Sequence, residues 1–389
     1  MVDRRLLPVC LLVACNVPEP IESTGGAGPH GVVVLSSDYQ STNVSAVAVD
    51  GRVLSESILS SGSAAPGISA PLSGDVVLPT SPDPSGRILL IDRKSSVVTF
   101  VDPQTAAVLR QISVATGFYA NAHDWLQVAP GKAYVSRYET NALPGAEPFD
   151  QGGDLLVVDT NEYKITGRID LASAGDVVLP RADRMLAMGT DVWVSLQRLS
   201  AGDMKTGQDA RVVGVDVASD RIAWQVDLAG VANCGAPVLA PSGTIAALAC
   251  SGVYTDPDTS RSAVVLLDAT TRPPSMQRRF DVGGAVWPAI AFASEQVLVG
   301  SVPGTLNEPR RNDVAFALDL GSGTVTRLLE ANGAFVLGDV LCTSGRCLMA
   351  DAGELAVRVW SVTGSSLAAA PSIAPDPSIG LPPRCIGSF

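Results

Sequence analysis

Short apolar runs that end in aspartate recur along the chain. They are SAVAVD ending at Asp50, VTFVD at Asp102, LLVVD at Asp159, VVGVD at Asp216, AVVLLD at Asp268 and AFALD at Asp319, with AVRVWS ending at Ser361 as a degenerate seventh copy. Successive copies lie 52, 57, 57, 52, 51 and 42 residues apart. A few turn residues and a second strand-like stretch follow most of them, as in AAVLRQISV, YKITGRIDL and DRIAWQVDL; two more precede them, as in WLQVA and KAYVSRY or AIAFA and QVLVGSV. Val-rich runs bounded by Gly, Pro, Asn and Asp read as strands, because branched side chains fit a half-buried pleated surface and turn residues punctuate it. Four strands per unit at this period are the mark of propeller blades. The expected fold class is therefore all-β: a seven-bladed β-propeller of four-stranded antiparallel blades, one domain over residues 31–389. Each terminal aspartate has a local reason, since its carboxylate can accept a backbone hydrogen bond from two residues on and fix the turn. The first unit begins at GVVVLSS without an innermost strand, whereas the chain ends with a surplus one, PRCIGSF. This C-terminal segment is expected to pair in blade 1 and close the ring.

The hexapeptide GDVVLP occurs at 74–79 and again at 175–180, and GDVL returns at 338–341. The copies follow the blade period, but their contexts differ. PTSPDPSGRILL after the first leaves no room for the extra strand that RADRMLAMGTDVWV after the second provides. VVLP is thus expected to be the innermost strand of blade 2 and only the lead into that of blade 4. The strand-Asp-turn-strand units, with AYVSR at 133–137 and VWVSL at 192–196, resemble the YVTN-type propellers of the quinoprotein-like group over residues 31–389. That resemblance implies the fold and is nearly silent about activity, because propellers host many unrelated functions. A likeness to seven-bladed sugar lactonases is one of fold only. GVDVASDRIAWQVDL has Asp216 and Trp224 at the spacing of a quinone-cofactor repeat, but the other units lack the tryptophan. Trp224 therefore reads as packing between blades, and no cofactor is expected.

The N-terminus departs from this pattern. Residues 1–15, MVDRRLLPVCLLVAC, place Arg4 and Arg5 before a short apolar stretch, the layout of a secretory signal. Leu12-Val13-Ala14-Cys15 resembles the lipobox of bacterial lipoproteins. This implies removal of a signal peptide at 1–14, lipidation (palmitate) of Cys15 and a flexible tether at 15–30, with an ordinary signal as the alternative. The membrane partner is then reached through the lipid, and Asn16, in place of the Asp that favours inner-membrane retention, points to the outer membrane of a Gram-negative envelope. No apolar run approaches the roughly 20 residues of a spanning helix, so a soluble body is expected. A formal charge of -12 excludes nucleic acid as a natural partner.

Export permits disulfides. In VLCTSGRCLM a Ser344-Gly345 turn would set Cys342 opposite Cys347, while Cys234 and Cys250 flank the turn at Pro241-Ser242-Gly243; Cys385 is left over. Buried free thiols are the alternative. Only His30 and His123 exist, which excludes a multi-histidine metal centre. His123-Asp124, where a connection enters an innermost strand, and Asp176, with Asp75 and Asp339 near the same junction of other blades, form a candidate ligand site at the channel mouth for a cation or small cationic ligand. The alternative is that each acid caps its own turn. Two histidines and no paired nucleophile give catalysis little support.

The connections between second and third strands are long in four consecutive blades: 138–153, 197–209, 251–262 and 301–313. They emerge on one face, where loops on a rigid scaffold commonly carry binding. Phe149, Arg198, Tyr254, Arg310 and Arg311 are the candidate partner contacts, against the alternative of solvated loops with no partner. The expected function is that of a non-enzymatic, lipid-anchored monomer whose propeller rim binds another envelope protein. The alternative is a lactonase-like or redox enzyme, or a small-ligand or cation binder, at the channel mouth.

Overall fold

The structure, a computed structural model, describes residues 31–389 except 174–175, 202–206 and 253–257. Seven antiparallel sheets of four strands each stand around a ring. Blades 2 to 7 take their strands in chain order from residues 76–113, 122–170, 182–227, 238–280, 291–330 and 337–373. Blade 1 is composite: Pro383–Ser388 lies inside Val32–Ser37, Thr42–Val47 and Val53–Ser60. The closing pairs are Val32 with Ser388, Val33 with Gly387, Val34 with Ile386 and Leu35 with Cys385. The expected closure by the C-terminal segment is thereby met.

The apolar runs are nearly unbroken because both faces of every blade are covered. Val33 and Leu35 pack toward blade 2, whereas Val32 and Val34 pack toward blade 7, so the period of two sorts one strand into two cores. Seven such cores lie between adjacent blades. The aspartates close their turns as expected: Asp50, Asp102, Asp159 and Asp268 accept the backbone N–H two residues on, at 3.0, 2.8, 2.8 and 2.9 Å. At Asp216 and Asp319 the donor is instead the N–H three residues on. VVLP also divides as read: blade 2 begins with Val76–Val77, blade 4 with Ala182–Met188, and Val177 ahead of the latter is 84% exposed. Trp224 packs between blades 4 and 5, edge-on to Trp193, and donates from Nε1 to Asp191 at 2.8 Å. It covers Gly214 so closely that a Cβ there would lie 2.0 Å from the indole, which is why this strand position is glycine.

Both cysteine pairs form disulfides. Cys342–Cys347 links directly opposed residues of a hairpin, and Cys234–Cys250 fastens the lead into blade 5 to its second strand. A loop of 16 residues closed in this way adds about 3 kcal/mol by constraining the unfolded chain. Cys385 is a free, half-buried thiol in the closing strand.

Just before that strand, Asp376 is 2% exposed and accepts a hydrogen bond from Asn43 Nδ2 at 3.3 Å. Burial is the main cause that lifts its pKa to about 6; the bond from Asn43 opposes the rise and the Glu56 carboxylate adds to it. The folded state thus holds this proton more tightly than the unfolded chain, whose carboxyl titrates near the ordinary value of 3.8. The stabilisation is complete below about pH 4 and is lost as pH rises through 6. Asp376→Asn, which keeps an acceptor without the charge, is expected to gain about 2–3 kcal/mol at pH 8 and much less at pH 4. Thermal melts of both proteins at the two pH values check this, and an equal gain at both would refute the linkage.

Candidate functional site

The first strands of all blades run in the same direction, so their N-terminal ends share one face with the long second-to-third-strand connections. His123 and Asp183 hold the same place there, each second in its strand (Ala122–Ala129 and Ala182–Met188) in consecutive blades. His123 Nδ1 lies 2.6 Å from Asp183 Oδ1. The imidazole is stacked on Tyr138, with centroids 4.3 Å and planes 8° apart. Tyr138 donates to Gln197 Oε1 at 2.6 Å, and Gln197 Nε2 donates to Asp183 Oδ2 at 3.2 Å. Burial lowers the pKa of His123 against the opposing pull of Asp183. Although burial alone would raise it, the Asp183 carboxyl is held below its ordinary value by the His123 bond and by the positive charges of Arg184 and Arg93. The pair is therefore a neutral imidazole whose Nδ1–H donates to a carboxylate. This leaves the Nε2 lone pair as a base or acceptor, buried and without a hydrogen-bond partner. Burial likewise raises the pKa of Tyr138, so its phenol stays protonated and remains a donor.

The sequence reading paired His123 with Asp124 and Asp176, and the structure places these elsewhere. Asp124 is fully buried and accepts from Thr80 N and Oγ1, Trp125 N and Met185 N at 2.8–2.9 Å, joining blades 2, 3 and 4. Asp176 pairs with Arg198 at 2.6 Å and Arg211 at 3.3 Å. Asp75 pairs with Arg93. Asp339 is desolvated, which raises its pKa. Among the described residues no three His, Cys, Asp or Glu side chains converge as a metal ligand set. Asp183, Tyr138 and Gln197 were not singled out from sequence. The signal that would have found Asp183 is the equal strand position, Ala-His in blade 3 against Ala-Asp in blade 4.

The rim residues also separate. The 138–153 connection is folded on Asp150, which accepts the N–H groups of Gly145, Ala146 and Glu147. Phe149, at its end, is half-buried against the core between blades 2 and 3. Arg198 is 4% exposed, and besides Asp176 its guanidinium bonds the Asp209 carbonyl at 2.9 Å and the Gln208 side chain. Tyr254 and Cys15 lie outside the described residues. Arg310 and Arg311 are exposed and, with Arg327, edge a groove of about 460 Å³ that includes Val302, Val314 and Phe316. The groove lies over the outer part of the core between blades 5 and 6.

Fold and site together define the class: a seven-bladed β-propeller with a buried His–Asp pair joining the innermost strands of blades 3 and 4. No protein-family profile matches the chain, and no curated protein matches it. Solved structures do. A protein from Lactobacillus plantarum is 11% identical with a TM-score of 0.59, over 92% of this chain and 98% of that one. A candidate 6-phosphogluconolactonase from Bacteroides uniformis is 12% identical with a TM-score of 0.58, over 92% and 99%. Streptogramin B lyase is 11% identical with a TM-score of 0.51, over 78% and 84%. At such identities the likeness is one of fold, and the different activities in these names leave function to be argued from the site.

Proposed function

We propose that this protein is a non-enzymatic, lipid-anchored propeller of the cell envelope that binds another envelope protein through its rim. One observation carries the reading: the groove beside Arg310 and Arg311 combines an apolar lining with exposed cations. The lipobox-like Leu12-Val13-Ala14-Cys15 supports the anchor and, with Asn16, the outer membrane. A photo-crosslinking amino acid in place of Arg311 is expected to capture a discrete partner on intact cells, whereas the same group in place of Asn161, on the opposite face, captures none. Equal capture from both faces would overturn the reading. A second reading, a lactonase-like or redox enzyme or a small-ligand or cation binder at the channel mouth, draws support from the His123–Asp183 pair and the likeness in fold. It would be favoured by a turnover or ligand-induced thermal shift lost in His123→Gln and kept in Arg311→Glu.

A further inference from the structure

We infer that the groove at the junction of blades 5 and 6 takes an extended partner segment in which acidic and apolar residues are interspersed. This rests on the rim reading above and names the chemistry of the partner.

Charge is the first ground. The chain carries a formal charge of -12, yet the groove is lined by three arginines, Arg310, Arg311 and Arg327, against a single acid, Glu330. Arg310 lies 3.3 Å from Glu308 and Arg327 lies 2.9 Å from Glu330, but these pairs are open to water, their side chains 41–82% exposed. Exposed pairs of this kind contribute roughly 0–1 kcal/mol, so they hold neither guanidinium against a better-placed carboxylate. Arg311 has no side-chain hydrogen bond or ion pair among the described residues, while its backbone N–H and C=O bond Thr305 and fix the turn that presents it. A partner carboxylate therefore meets one vacant fork and two weakly held ones, and bidentate pairing rewards that geometry.

The second ground is the lining. Val282, Val302, Val314 and Phe316 belong to or border the interblade core and give the groove an apolar floor. Val325 extends this apolar surface on the outermost strand of blade 6. A purely acidic strand would leave this surface wet and a purely apolar one would leave the cations unanswered, so the matching occupant carries both. An extended segment suits the site because alternate side chains of a strand point to opposite sides, one set reaching the floor and the other the rim. At about 460 Å³ the groove holds a few side chains, not a folded domain.

The probe is a fluorescein-labelled decapeptide alternating Glu and Val with one central Pro, read by anisotropy against full-length protein at low salt; the comparison probe has Lys in place of each Glu. Tighter binding of the acidic peptide is expected, weakened about tenfold or more by Arg311→Glu and again by added salt, the size of one lost charge-assisted hydrogen bond. Arg327→Glu is expected to weaken it similarly. Both sites are exposed, so unchanged melting temperatures confirm that the variants are folded. Equal binding of the two peptides, or acidic-peptide binding indifferent to both variants, overturns the inference. If crosslinking at position 311 still captures a discrete partner in that case, the rim reading stands and only the acidic chemistry falls. If crosslinking also fails, the rim reading falls with it.

Discussion

Replacing Asp154 by alanine is expected to lower the stability of the propeller by about 3–5 kcal/mol, the cost of leaving a buried guanidinium without its counter-ion. Arg137 and Asp154 are both fully buried on neighbouring strands of blade 3. The guanidinium is held through Nε to Oδ1 and through Nη2 to Oδ2, each at 2.7 Å, and Arg168 adds a third bond to Oδ2 at 2.8 Å. Water cannot take the place of the lost carboxylate at a site of zero exposure, so the desolvated charge remains uncompensated. Arg168→Ala is the internal control. Its side chain is 22% exposed and it leaves the Arg137–Asp154 pair intact, so about 1 kcal/mol or less is expected. Urea denaturation of the three proteins decides the matter, and equal losses for the two variants would show that burial does not set the scale here. The effect should also reach the rim. Arg137 Nη2 donates to the Phe149 carbonyl at 2.6 Å, holding the end of the 138–153 connection, and the next residue, Tyr138, is the ring on which His123 stacks. Faster amide exchange at Gly145 to Glu147 is expected alongside the loss of stability.

The blades, their turns and their closure were legible in the sequence because each rests on local chemistry repeated many times. A strand buried on both faces must be apolar at nearly every position, and an aspartate at its end must find a donor within two or three residues. The disulfides were legible for the same reason, since a two-residue turn fixes Cys342 against Cys347 without reference to the rest of the chain. The candidate site was less legible, because its members come from different blades. Nothing near His123 in the sequence marks Asp183, 60 residues on, as its partner; only the register of two separate innermost strands brings them together. Arg198 illustrates a second limit. It sits at the start of a long connection, where a cation reads as solvent-facing, but a side chain with so many torsions can turn inward, and here it does so onto Asp176, the Asp209 carbonyl and Gln208. Arg310 and Arg311 stay outside, because the buried acid of their own connection, Asp313, is already bonded by the backbone N–H groups of Gly304, Phe335, Val336 and Leu337.

Deleting residues 383–389 is expected to abolish cooperative folding of the body, although the deletion removes only one short strand. Ile386 and Phe389 are 7% and 3% exposed, and each contributes roughly 1.5–3 kcal/mol by burial. Their loss also strips the inner edge of Val32–Ser37, leaving its backbone groups unpaired beside the channel and uncovering Val34 and Leu35. The sum is about 5 kcal/mol or more, comparable to the whole stability of an ordinary domain. A ring compounds the loss, because blades 7 and 1 no longer meet through the inner strand of Pro383–Ser388 and the seam between them opens. A truncation alone could act by some other route, so a circular permutant makes the test specific. The Phe389 N–H donates to the Gly31 carbonyl at 3.2 Å, so a short linker can join 389 to 31 without disturbing either. New ends at the exposed Gly364–Ser365 turn of blade 7 leave every strand of blade 1 covalently in place. The permutant of residues 31–389 is expected to melt within a few degrees of the parent, whereas the truncated chain gives no cooperative transition or is recovered insoluble. A truncated chain that melted like the parent would show that the inner strand of blade 1 is dispensable and that the interblade cores alone hold the ring.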